Sequence, residues 1–188
     1  MRIILRKLSS LITHFIIFFR SKYYNLILCT FQYGIKIEKN VKFGKNINIR
    51  VTDGGVLEIM KGVNISSNTS IIVKSGNLKI FDNVFIGNGS IIVSRKSISI
   101  GKNTLVSEYV TIRDQDHDYI DGKIQLNKFK MSPIIIGSNC WIGAKATILR
   151  KSVLGENVIV GAHSLVKGEI PSFSLAIGIP AIIKKNLK

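Results

Sequence analysis

An aliphatic residue, or in one case a phenylalanine, returns at every sixth position through most of this chain, and few folds can use such a period. The markers fall in triplets: Ile37, Phe43, Ile49; Ile59, Ile65, Ile71; Ile80, Ile86, Ile92; Ile100, Val106, Ile112; Ile136, Ile142, Ile148; and Leu154, Val160, Val166. Within each triplet the step is six, and between triplets it varies, so extra residues are accepted at one corner only. A helix repeats near 3.6 and a half-buried strand near two, and neither period fits. Sandwich strands would alternate strictly between hairpin signals, and no Asn-Gly or Asp-Gly turn recurs at hairpin spacing. A step of six with a permissive third turn describes a three-sided coil of about 18 residues, each side one short strand, stacked on its neighbours at roughly 4.8 Å. Six such coils make an all-β prism about 29 Å tall.

The residue types agree with that geometry. Inside a narrow prism an aliphatic side chain stacks on its copies above and below, and the small residue four steps later, such as Thr69, Ser90, Thr104, Cys140, Ala146 or Ser152, fills what remains. The corners, VKFGKN, ISIGKN, IIIGSN and VIVGAH among them, carry glycine or asparagine to take the tight turn and its unusual backbone angles. No coil buries its own apolar side, so stability comes from stacking and both ends need caps. The expected division is a helical segment or cap over residues 1–34, the coiled body over 35–170 and a second cap and tail over 171–188.

Residues 1–34 follow a different rule. Leu8, Leu11, Ile12, Phe15 and Phe19 keep the three-and-four rhythm of an amphipathic helix, with a break expected around Ser21 to Tyr24. The run without charge, Leu8 to Phe19, is too short to span a bilayer, and Arg20, Lys22, Tyr23 and Tyr24 stand where a signal-peptide cleavage site would need small residues. This segment either seals the first coil or lies on an anionic membrane surface. His14 within it reads as structural. Cys29 and Cys140 are too few for a disulfide scaffold and read as buried thiols.

The formal charge is +16, from 27 Lys and Arg against 11 Asp and Glu. Such a balance attracts lipid headgroups, nucleic acids or phosphorylated small molecules. Nucleic acid is excluded as a partner because the basic residues are spread along the chain and no nucleic-acid-binding signature accompanies them. No metal-ligand spacing occurs either.

The closing stretch CWIGAKATILRKSVLGENVIVGAHSLVKGEIPSFSLAIGIPAIIKK, Cys140 to Lys185, resembles the carboxyl end of the left-handed parallel β-helix acyltransferases, polysaccharide O-acetyltransferases in particular. In place of their Ala-Gly-Asn-Pro-Ala-like turn it has Ala176-Ile177-Gly178-Ile179-Pro180-Ala181. The resemblance implies left-handed winding and transfer of acetyl from acetyl-coenzyme A to a sugar or glycan of a bacterial surface polysaccharide. It also implies a cytoplasmic homotrimer with sites between adjacent prisms. Amino-sugar N-acetylation, serine O-acetylation and a non-catalytic scaffold are the competing expectations.

The period breaks once on a large scale. The run RDQDHDYIDGKIQLNKFKMS, Arg113 to Ser132, reads as a loop thrown out over about 113–133, and such insertions form binding faces. Acetyl transfer to a hydroxyl needs a base near neutrality, and His117 supplies the imidazole. Asp114 is the first choice to orient it and Asp116 the second. Arg113, Asp116 and Tyr119 are candidates for gripping the acceptor. The family's Ser-Asp-His-x-His-like run is matched by Arg113-Asp114-Gln115-Asp116-His117, with Gln115 replacing the first His. Trp141 faces outward beside inward Ile142 and resembles a tryptophan that walls the acyl site. The resemblance further places Gly143, Ala144, Gly161 and Ala162 along the pantetheine arm. Lys167, Lys184 and Lys185 could meet the phosphates, as could Arg150 and Lys151, and His163 reads as a groove or surface residue.

Overall fold

In the computed structural model, residues 2–31 and 33–188 are described, with helix side chains from residue 12 onward except at 14, 29 and 31. His14, Cys29 and the basic Arg2, Arg6 and Lys7 therefore lie outside the described side chains.

Three sheets of seven, eight and six strands form the faces of a prism, parallel except for the last strand of the second, each turn contributing one strand to each face. The six-residue rhythm is its register. On the first face Ile37 pairs with Ile59, then Ile80, Ile100, Ile136 and Leu154 follow in order. The second face stacks Phe43, Ile65, Ile86, Val106, Ile142 and Val160. The third stacks Ile49, Ile71, Ile92, Ile112, Ile148 and Val166. All of these are buried except Ile37 in the first turn, which is half-buried. Burying an isoleucine contributes about 1.5–3 kcal/mol, and here it does so only when the neighbouring coil is in place. The result is an all-β parallel solenoid of the left-handed type with six full turns, and Glu169–Ile170 with Ser174–Gly178 start a seventh.

Glycine and asparagine serve the corners by separate means. Gly143, directly after its marker, has no left-handed φ; it is small because a Cβ there would lie 2.6 Å from the Ala162 nitrogen and 2.7 Å from the Val160 oxygen of the next coil. The left-handed residue comes two positions later: Asn46, Asn103, Asn139 and Asn157 have φ of 52°, 56°, 57° and 56°. Asparagine tolerates this region, and its amide also reaches the next coil. Asn83 donates to Asn103 Oδ1 at 3.2 Å, and Asn103 to Asn139 Oδ1 at 3.3 Å.

Both ends of the stack are covered. The first strand of the second face would leave an open edge, but the Phe43 N–H donates to Ser21 Oγ at 3.0 Å and its carbonyl accepts from Arg20 Nε at 2.9 Å. The Tyr24 ring packs on Phe43 with centroids 5.5 Å apart, and Leu28 is buried. The helix runs unbroken over Arg2–Phe31. The break expected around Ser21 does not occur, because no proline or glycine interrupts the ladder and Ser21 turns its hydroxyl to the solenoid. Phe15, Phe18, Phe19 and Tyr23 stay more than half exposed. Among the described residues no helix is long and apolar enough to cross a membrane. At the far end Ser174–Gly178 extends the second face and the antiparallel strand Ala181–Asn186 closes it.

The insertion is not an irregular loop. Gln115–Ile120 and Lys123–Met131 pair antiparallel into a hairpin projecting from the corner between the third and first faces.

Candidate active site

Asp121 and Gly122, with φ of 50° and 74°, form the two-residue turn of this hairpin, a pair that favours left-handed angles at both positions. The register shifts between His117, opposite Phe129, and Asp118, opposite Gln125, so residues 126–128 bulge from the longer strand. Bulges re-aim neighbouring groups, and here the Gln125 carbonyl lies 3.1 Å from His117 Nδ1. A carbonyl only accepts, so Nδ1 carries the hydrogen, and in the neutral ring the lone pair is then on Nε2. The imidazole packs on the Phe129 ring at 4.6 Å between centroids, and the Arg95 guanidinium stands over the same ring at 3.8 Å. A cleft of about 510 Å³ opens here, lined by Arg95, Arg113, Gln115, His117, Asn127 and Phe129 among others. A larger cavity of about 1130 Å³, between the helix and the first turns, shares no residue with it.

Asp114 does not orient His117. It is fully buried, and its carboxylate accepts from Ser94 Oγ at 2.9 Å and from the Arg95 and Lys96 N–H groups at 2.8 Å each. Its lone pairs close the corner of the preceding coil, and the Gln125 carbonyl occupies the place expected of it. Asp116 is not the orienter either, because it is paired with Arg150, which ties the hairpin to the next coil. That pairing engages Nε of Arg150. Asp118 pairs with Lys130 at 3.0 Å, and this hydrogen bond holds its carboxyl below the usual carboxylate range. Arg113 lines the cleft, whereas Tyr119 is exposed further out along the hairpin.

Trp141 stands on the second face, the side of the prism opposite the corner that carries the hairpin. A single chain therefore does not bring Trp141 and His117 together. The indole is half-exposed and donates from Nε1 to Ser107 Oγ at 3.0 Å. Leu105 stands next to it and Phe85 next beyond Leu105 on the same outer column, both also partly exposed. At the corner between the second and third faces, Gly143-Ala144-Lys145 stacks on Gly161-Ala162-His163, with the His163 N–H donating to the Ala144 carbonyl at 2.9 Å. Ala162 and His163 are exposed there, and His163 has a left-handed φ of 58°. Lys167 and Lys151 lie on the corner between the third and first faces, while Lys185 sits on the closing strand opposite Leu175, with Lys184 beside it. These lysines do not form one cluster.

Sequence reasoning missed Arg95, Phe129, the Gln125 carbonyl and the buried Gln115. The Asp121-Gly122 pair flanked by alternating residues was the available signal for the hairpin that assembles them.

Residues 133–168 match the bacterial transferase hexapeptide family (six repeats), and residues 78–107 match the hexapeptide repeat of succinyl-transferase. Over these two stretches the chain is a hexapeptide-repeat solenoid similar to the bacterial hexapeptide transferases. A Mycobacterium tuberculosis protein provisionally described as an acetyltransferase, Rv3034c, is 35% identical over 149 residues, covering 78% of this chain and 50% of that protein. The chain thus spans half the length of this relative. WbbJ of Escherichia coli K12, provisionally described as a lipopolysaccharide biosynthesis O-acetyl transferase, is 28% identical over 174 residues, covering 87% of this chain and 81% of WbbJ. Among solved structures, AntD, an N-acyltransferase from Bacillus cereus crystallised with dTDP and 3-hydroxybutyryl-CoA, superposes with a TM-score of 0.75 at 22% identity, covering 87% of this chain and 88% of AntD. That likeness speaks to the fold.

Proposed function

We propose that this hexapeptide-repeat protein transfers an acetyl group from acetyl-coenzyme A to a hydroxyl of a sugar in a surface polysaccharide or its precursor. The observation that carries the reading is the hydrogen bond of His117: with Nδ1 committed to the Gln125 carbonyl, the neutral ring has its lone pair on Nε2, in a residue that lines a cleft. WbbJ, an O-acetyl transferase by description, agrees with a hydroxyl as the acceptor.

Acetyl-coenzyme A supplies an activated thioester carbonyl when bound. The residues present fit it at the Ala144 and Ala162 corner: the side chains are methyl groups, and their N–H groups donate to no carbonyl among the described residues. Trp141 offers a partly exposed apolar wall on the adjoining face. Nε2 of His117 takes the acceptor proton as the oxygen becomes nucleophilic, and the Nδ1–H to carbonyl bond keeps the ring aligned while it is charged. Because His117 and Trp141 are on opposite sides of one prism, the reading includes a homotrimer in which one chain's hairpin meets its neighbour's second face. The exposed Phe85, Leu105 and Trp141 column would be covered by that contact. The protein would work in the cytoplasm, with the exposed aromatics of its helix against anionic lipid at the inner membrane face.

Free-thiol release from acetyl-coenzyme A with a panel of sugar and amino-sugar acceptors tests the proposal. His117→Ala should lower turnover by about 10²-fold or more with an unchanged melting temperature. Full turnover in that variant, or release only with amino sugars, would overturn the assignment.

A further inference from the structure

Beside His117 lies a concentration of unneutralised positive charge. Arg113 projects from the outer side of the third face, and its backbone pairs with Val93, which in turn pairs with Ile72. Lys74 and Arg95 come two residues after those partners, so the three cationic side chains line one cleft from three successive coils. Among the described residues neither Arg95 nor Arg113 has a carboxylate within ion-pair distance, and Lys74 reaches only Asp53, at 3.8 Å. The nearest acid in sequence, Asp114, is turned inward and fully engaged by Ser94 and two backbone N–H groups.

Arg95 stands over Phe129, its guanidinium carbon 3.8 Å from the ring centroid. Stacking uses the faces of a guanidinium and leaves its in-plane N–H edges free to grip a carboxylate or phosphate in bidentate fashion. The same Phe129 ring touches the imidazole. The two contacts limit the distance from guanidinium to base to the span of one or two sugar units.

A second observation points to a ligand. Gln115 also lines this cleft; it is only 5% exposed, and its Oε1 is buried with no hydrogen-bond partner. An amide oxygen left so is costly unless a bound molecule donates to it. The cleft therefore asks for a molecule with an anionic group for the cations and a hydroxyl hydrogen for Gln115.

Resting on the acetyltransferase reading, we infer that the acceptor is acidic: a sugar carrying a carboxylate or phosphate close to the reacting hydroxyl, the anion held by Arg95, Arg113 and Lys74 and a neighbouring hydroxyl by Gln115. Arg95 and Arg113 then set specificity and hold the sugar while His117 handles the proton. Neutral sugars lose the charge-assisted hydrogen bonds and bind more weakly.

Binding can be separated from turnover by titrating the full chain, without acetyl-coenzyme A, with methyl glucuronide, glucose 1-phosphate and methyl glucoside. The two anionic probes are expected to bind at least tenfold more tightly than the neutral one, with the advantage shrinking as salt rises. Whichever anion binds more tightly identifies carboxylate or phosphate as the native group. Arg95→Gln and Arg113→Gln, each checked for an unchanged melting temperature, should reduce the preference to less than about threefold, and Gln115→Leu should weaken all three probes. Equal binding of charged and neutral probes, no binding of either anion at millimolar concentration, or full preference in both arginine variants would overturn the inference. Thiol release distinguishes the two proposals: turnover of neutral acceptors without anionic preference defeats the acidic acceptor alone, whereas tight anion binding with no thiol release from any acceptor defeats the transferase reading.

Discussion

Asp114 offers the sharpest test of whether a carboxylate near a histidine serves chemistry or architecture. Its side chain is fully buried and receives three hydrogen bonds, from Ser94 Oγ and from the N–H groups of Arg95 and Lys96. Asp114→Ala strands the Arg95 and Lys96 N–H groups, while the Ser94 hydroxyl keeps the Asn77 carbonyl, at 2.9 Å, as an acceptor. Hydrogen bonds to charged groups contribute about 1.5–3 kcal/mol each, and a stranded buried donor costs about 1–3, so even with partial relaxation the loss should be roughly 4 kcal/mol. With a urea slope of about 2.5 kcal/mol/M, that moves the unfolding midpoint down by about 1.5 M. Asp114→Asn keeps the shape and places its amide nitrogen against at least one donor, so its loss should be about 1–3 kcal/mol. A carboxylate that orients a catalytic imidazole behaves otherwise, with amide replacement lowering kcat by about 10⁴-fold and leaving the fold intact. Circular dichroism in urea and single-turnover thiol release, run on the same Asp114→Asn preparation, separate these cases. A hundredfold loss of kcat at an unshifted midpoint would refute the architectural assignment.

Further outcomes follow from neighbouring features. Burial pushes the Cys140 thiol up from its ordinary range, which suppresses the thiolate; in a Cys29→Ser protein, disulfide reagents at pH 8 should modify Cys140 only after urea is added. Gly143→Ala should destabilise by about 2 kcal/mol or more, because its Cβ would strike the next coil's backbone. Ala162→Leu, at an exposed corner, should leave the melting temperature unchanged while raising the apparent KM for acetyl-coenzyme A, as thiol-release kinetics would show. Flotation with anionic vesicles should recover the wild-type chain at physiological salt and lose a Phe15→Ser, Phe18→Ser, Phe19→Ser variant; wild type that stays with the aqueous fraction removes the membrane contact and leaves the rest standing.

The coils were legible because their cause is local and repeated: a side chain confined to a narrow interior must be aliphatic, and the chain needs six residues to reach the next side. Ile59, Ile80 and Ile100 therefore announce themselves at their own positions. The corner glycines were misread because sequence shows that Gly143 is small without showing what it must clear, and the Val160 and Ala162 backbone atoms that forbid a Cβ come from another turn. Asp114 was misassigned for the same reason, since its partners lie 18 to 20 residues back, on the coil before. The hairpin carried its own signal in Asp121-Gly122, overlooked because the same kind of pair, Asp53-Gly54 and Asn88-Gly89, also serves the corners of the coils. A main-chain acceptor such as the Gln125 carbonyl leaves no trace in residue identity, so the group that fixes the imidazole could be found only in three dimensions.

The helix that bonds Phe43 through Ser21 and Arg20 also settles how long the molecule can be. Each coil presents to the next the same strand edges it receives from the one before, so the repeat contains no instruction to stop. Length is written at the two ends. If Ser21 and Arg20 no longer occupied the N–H and carbonyl of Phe43, the first turn would become a vacant template, and the complementary surface nearest in kind is a coil of another copy. A chain of residues 35–180, lacking both the helix and the closing strand Ala181–Asn186, should accordingly add to itself end to end and form filaments whose axial repeat is set by the strand spacing.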